Sequence, residues 1–156
     1  LGVTAAALFH RVGSKNQLLA MALEPSEPPV IALMRGGYSR GAPADAQMVD
    51  FLVGMTNYLD TAVASIFCLR EGGVLQETQT NNKNYPVKLR QAMAKWLKEA
   101  QAQGDVRSGD ARIMAEALMG TIEIRFTVAY LKHKKHSRSS NRAFITSLVR
   151  EILQRR

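Results

Sequence analysis

The sequence predicts an all-α protein. Apolar residues recur at helical spacing along almost the whole chain, no stretch sustains the polar–apolar alternation of a strand, and no Asn-Gly or Asp-Gly pair offers a hairpin turn. Proline and glycine clusters then cut this helical pattern into separate elements.

The elements follow in order. Thr4 is placed to cap a first helix that runs to about Val12, and Gly13 ends it. Ser14 caps a second, Lys15 to about Leu23, with Leu18, Leu19 and Ala22 inward. Pro25, Pro28 and Pro29 interrupt the chain, and Pro29 can start a short helix over Val30–Met34 that Gly36-Gly37 stops. A helix from Asp45 to about Ser65 places Met48, Phe51, Leu52, Met55, Leu59 and Val63 on one stripe, and Ile66–Glu71 either continues it or forms a separate piece. After a polar, turn-rich stretch, Val87–Gln103 repeats Leu89, Met93, Trp96, Leu97 and Ala100. Asp110 is placed to cap Ala111–Leu131, which is apolar nearly all round and so is expected to be buried on more than one side. Ser139 or Ser140 caps a last helix carrying Phe144, Ile145, Leu148, Val149, Ile152 and Leu153.

Composition narrows the functional classes. With 46% hydrophobic and 22% charged residues in 156, the chain can build a core and is not a disordered polyelectrolyte. Twenty-one Lys and Arg against 13 Asp and Glu give a net charge of +8, a balance that suits a polyanionic partner. The single cysteine, Cys68, excludes an intrachain disulfide and reads as a small buried hydrophobe in a reducing compartment. No apolar run reaches bilayer length and no leader pattern opens the chain, so the expectation is a cytoplasmic protein with no membrane partner. A chain that opens on a Leu-Gly-Val turn also predicts residues ahead of Leu1.

The opening helix has an unusual outer face. At about 100° per residue, Leu8 and Val12 point one way while Ala6, Phe9 and His10 point the other. A helix that only covered a core would carry long charged residues outward. Alanines instead let the backbone approach another surface, and in a DNA major groove their methyls can meet a thymine methyl. The restart at Ser14-Lys15 offers free amides beside a lysine, a place for a backbone phosphate.

The stretch Leu1-Gly2-Val3, Thr4, Leu8-Phe9-His10, Val12 and Ser14-Lys15-x-x-Leu18 resembles the second half of the DNA-binding head of TetR-family (tetracycline-repressor-type) transcriptional regulators. Three positions depart from the family pattern: Phe9 stands where tyrosine is common, Asn16 where glutamate is usual, and Val12 where phenylalanine is usual. The resemblance implies a TetR-like helical bundle: a partial helix-turn-helix head over residues 1–23, and a C-terminal ligand-binding and dimerisation body over residues 24–156. It implies contact with double-stranded operator DNA through Thr4, Ala5, Ala6, Phe9, His10 and Lys15. It also implies a small-molecule effector in the body and a homodimer formed through 111–131 and 140–155. Small residues at Ala117, Gly120 and Thr121 suit close helix approach there.

For the effector, the soft and aromatic residues Met55, Tyr58, Phe67, Met93, Trp96, Met119 and Phe126 are the candidate pocket lining, with Glu123 as a polar contact. Core packing is the other reading for each of them. Glu123 and Arg125 interrupt an apolar helix, so each needs a partner from the same chain, a second subunit or a ligand.

No cofactor, metal or enzymatic site emerges. His133 and His136 lie in a basic loop without nearby carboxylates or cysteines, no phosphate-binding loop follows a strand, and no nucleophile has a partnered base. The rival reading is a helical small-molecule carrier or adaptor with no DNA role.

Overall fold

The computed structural model describes residues 13, 14, 16–18, 22, 29–71 and 85–154. Contacts divide the chain into two units, Leu1–Ser26 with Thr61–Asn84 and Glu27–Asp60 with Tyr85–Arg156. Among the described residues every regular element is a helix: α1 (Ile31–Arg35), α2 (Ala44–Glu71), α3 (Tyr85–Ala102), α4 (Ala111–Leu131) and α5 (Arg138–Leu153). The all-α class is therefore seen directly.

In the smaller unit, Ser14 and Gln17 form a reciprocal pair. The Gln17 amide donates to Ser14 Oγ at 3.1 Å, and the Ser14 amide donates to Gln17 Oε1 at 2.9 Å. This is a capping box, and a helical turn follows at 16–18. Ser14 thus caps as expected. Leu18 is half-buried, Ala22 is exposed and Leu19 lies outside the described residues. The last part of α2, beyond Asp60, belongs to this unit and stays helical to Glu71. Cys68 is exposed there, contrary to expectation. A helix step of about 100° separates it from Leu69, and it is Leu69 that takes the buried position.

The larger unit holds the main core. The α2 stripe from Met48 to Leu59 is buried here, as are all five residues of the α3 stripe; Val63, the last of the α2 stripe, is buried within the smaller unit's part of the helix. α3 packs on α1 and α4, and α4 packs on α5. α1 begins one residue later than expected, at Ile31, with Val30 as its N-cap and Pro29 in the turn before it; Val30 sits against Gly54 of α2 so closely that an added Cβ there would overlap Val30 Cγ1. An ion pair from Arg142 to Asp50, 2.9 Å, joins α5 to α2.

The caps follow the sequence with one correction. Asp110 accepts from the amides of Arg112 (2.8 Å) and Ile113 (3.4 Å), and these bonds to its ionised form hold its pKa below the ordinary value. α5 starts earlier than expected: Ser137, not Ser139 or Ser140, is the cap, and its Oγ accepts from the Ser140 amide at 3.1 Å. Ser137 has the extended backbone a cap requires, whereas Ser139 and Ser140 are already helical. The connector at 104–110 folds back on the end of α5, where the Arg107 amide donates to Leu153 O and Arg107 Nε donates to Ile152 O.

Gly54→Ala is expected to lower unfolding stability by roughly 1 kcal/mol or more, because overpacking against a stiff valine outweighs the gain in helix propensity. Gly36→Ala, at φ −67° with nothing within 4 Å of its added methyl, should be neutral or mildly stabilising. Urea unfolding of the two variants checks the contrast.

Candidate functional site

The residues expected to touch DNA (Thr4, Ala5, Ala6, Phe9, His10 and Lys15) all lie outside the described residues. The residues expected to line a ligand pocket fall into three groups. Met55, Met93, Trp96, Met119 and Phe126 are buried in the core of the larger unit, contributed by α2, α3 and α4. Tyr58 is half-buried on α2 in that unit, and Phe67 is half-buried in the smaller one. Glu123 is half-buried on α4 and already has a partner from its own chain.

That partner is Arg90. Its guanidinium reaches from α3 to two carboxylates on α4, to Glu123 at 2.5 Å and Glu116 at 2.8 Å, and its third nitrogen donates to Pro86 O at 3.2 Å. Glu116 and Glu123 are seven residues apart, two helical turns on the same side, so one fork can span between them. Burial works against the charge on Arg90, but the attraction and hydrogen bonds of Glu123 and Glu116 outweigh it and raise its pKa. Arg125, the other charge within the apolar helix, lies 4.3 Å over the Phe144 ring and reaches Asn141 and Ser140 at 3.4 Å. Both interruptions of the α4 pattern are thus met within the chain. Among the described residues no buried side-chain nitrogen or oxygen lacks a partner.

The methionines give the core its character. Met34, Met48, Met55, Met93, Met114 and Met119 are all buried. Unbranched thioethers fill irregular space and re-pack at low cost, so this interior is better suited to admitting a small apolar guest than one built from β-branched residues.

An open cavity of about 640 Å³ lies elsewhere in the larger unit, where the start of α2 meets the end of α5. Tyr38, Arg40, Asp45, Asp105 and Gln154 are among its lining residues. Its polar groups are satisfied internally: Tyr38 OH donates to Asp105 at 2.8 Å, and Arg40 reaches Asp105 at 3.3 Å and Gln103 O at 2.7 Å. Burial of the Tyr38 ring, and then its bond to and charge repulsion by Asp105, raise the phenol pKa, with Arg40 acting against them. The ring also meets Trp96 edge-on at 5.0 Å between centroids. No local pattern in the sequence points to this network: Tyr38 and Arg40 lie 67 and 65 residues from Asp105 and share no motif with it.

α4 has one further side. Ile113, Ala117, Gly120, Ile124, Val128 and Leu131 form a single outward row over five turns, with Ile113 68% exposed and Ile124 and Leu131 each 59%. An added Cβ at Gly120 would meet nothing within 4 Å. The second apolar side of α4 therefore exists as expected, but within one chain it faces outward. No group of three metal-ligating side chains, and no single helix long and apolar enough to cross a membrane, occurs among the described residues. Comparison with known protein families, curated proteins and solved structures finds no match.

Arg90→Met leaves the half-buried Glu123 carboxylate without a cation. It should cost on the order of 1–2 kcal/mol, a figure already reduced for the solvent that reaches both side chains. Removing both charges (Arg90→Met with Glu123→Gln) should restore part of that loss. Urea unfolding of the single and double variants measures the coupling, and an uncoupled pair would remove the bridge from any structural role.

Proposed function

We propose that this chain is the sensing and dimerising part, with the recognition helix, of a cytoplasmic one-component transcriptional repressor of the TetR type. The reading rests on the sequence of residues 1–18, where Leu1-Gly2-Val3, Thr4 ahead of Ala5, Ala6, Phe9 and His10, and the Ser14-Lys15 restart follow one another at the family's spacing. The helical body supports it, and so does the capping box at Ser14 and Gln17, which starts a helix where the motif requires one.

In this reading the outward row of α4 is the homodimer face. Exposed apolar rows of this length are uncommon on monomers. A twofold pairing would set each row against its copy, with Gly120 near the middle admitting close backbone approach. α5 would complete the interface, and Ala143 and Ser147 are exposed on it. A small apolar effector enters the methionine-rich core and favours one arrangement of the dimer over another. It can shift operator binding only by the difference in its affinity for the two. Paired recognition helices then meet, or fail to meet, half-sites one helical turn apart.

Two measurements test the reading. In the full-length protein, Lys15→Ala should weaken binding to every duplex and flatten the salt dependence by about one phosphate contact, or about 0.9 in slope. An unchanged slope removes Lys15 from the DNA face. Ile124→Lys, a charge placed in the outward row, should convert a dimer into a folded monomer in sedimentation velocity at micromolar concentration. A wild-type chain that already sediments as a monomer would end the dimer assignment.

A further inference from the structure

The loop after α4 reads Lys132-His133-Lys134-Lys135-His136-Ser137-Arg138, and every one of these residues is exposed. It lies within residues 124–150, which hold seven Lys and Arg and no Asp or Glu. Arg142 is paired with Asp50, and Arg125 is held by Phe144, Asn141 and Ser140. Lys132, Lys134, Lys135 and Arg138 have no ion-pair partner among the described residues. Four uncompensated cations in seven residues equal half the net charge of the whole chain. They repel one another, and among the described residues no carboxylate is paired with any of them to offset that.

Helix electrostatics accounts for only part of the cluster. Lys132, at the C-cap of α4, complements the negative end of that helix, an effect that fades within a turn. Arg138 does the opposite. It opens α5, where the free amides favour an anion, and the first turn of α5 carries no acidic residue. A cation at that end costs stability unless an external anion joins it. The hydroxyls of Ser137 and Ser139 lie beside it, 3.1 Å apart.

We infer that the 132–138 loop is a second nucleic-acid contact, separate from residues 3–15, which binds the phosphate backbone of a duplex without reading its sequence. Lysine and arginine side chains with serine hydroxyls and a helix start are the groups that meet phosphate ridges. An anionic membrane would attract the same charges, but residues 132–138 contain no apolar side chain to insert at the headgroup boundary. Leu131, exposed just before the loop, belongs to the outward row of α4, and within the loop every side chain is polar or charged, which suits a phosphate backbone. The inference does not depend on the motif at residues 1–18.

The test uses the 156-residue chain and its loop-neutral variant, Lys132→Gln with Lys134→Gln, Lys135→Gln and Arg138→Gln, each also in a Lys15→Ala background. Binding to a mixed-sequence duplex of about 24 base pairs is followed by fluorescence anisotropy across a salt series. The loop-neutral variant should bind more weakly, with a slope of log K on log salt shallower by about 2 to 4, the same in both backgrounds. Its thermal midpoint should be equal to or above that of the parent. A slope unchanged by the four substitutions overturns the inference. So does a variant that keeps duplex binding but loses binding to vesicles containing about 30% phosphatidylserine, which would assign the loop to a membrane surface instead.

Discussion

The body depends on how Arg90 is held between Glu116 and Glu123. The two carboxylates stand two turns apart on α4, and a single guanidinium from α3 reaches both. That arrangement fixes the axial position of α3 along α4, which a stripe of leucines and methionines by itself sets only loosely. Apolar contacts tolerate sliding by part of a turn, whereas a forked, charge-assisted contact does not. Met93, Trp96 and Leu97 on α3 and Leu118, Met119 and Ile122 on α4 are buried. The polar bridge supplies register to an interior whose side chains are themselves adaptable.

Much of this was legible in the sequence, for a physical reason. Helical periodicity is a local signal, and the stripes on α2 and α3 are buried residue for residue as their spacing predicts. The Asp110 cap and the bounds of α4 were readable because an acceptor, an apolar run and a basic break follow in order. The start of α5 was less so. Ser137, Ser139 and Ser140 are equivalent as letters, and only the backbone at Ser137 distinguishes them. Cys68 was misplaced because a small residue next to a leucine gives no sign of which of the two turns inward. The Tyr38–Asp105–Arg40 network was invisible because partners so distant in sequence leave no periodic trace. The same holds for Arg90: the sequence showed that Glu123 needed a partner but not which residue would supply it.

The distribution of charge carries a separate lesson. Where the chain needs charge for its own folding, it pairs it: Arg90, Arg142 and Arg40 each meet a carboxylate. Between α4 and α5 it holds cations with no carboxylate partner among the described residues and places one at the wrong end of a helix dipole. Natural chains accept such local conflict where a surface has work to do beyond holding the fold together.

The strap formed by Arg107 has a consequence for motion. Its amide bonds to Leu153 O and its Nε to Ile152 O, the last carbonyls of α5, and the side-chain contact spans 45 residues of sequence. Helix ends ordinarily fray first, one residue at a time. Here the C-terminal turn of α5 cannot open without also freeing the connector between α3 and α4. The two behave as one cooperative unit, and a disturbance at the end of the last helix is felt in the connector between α3 and α4.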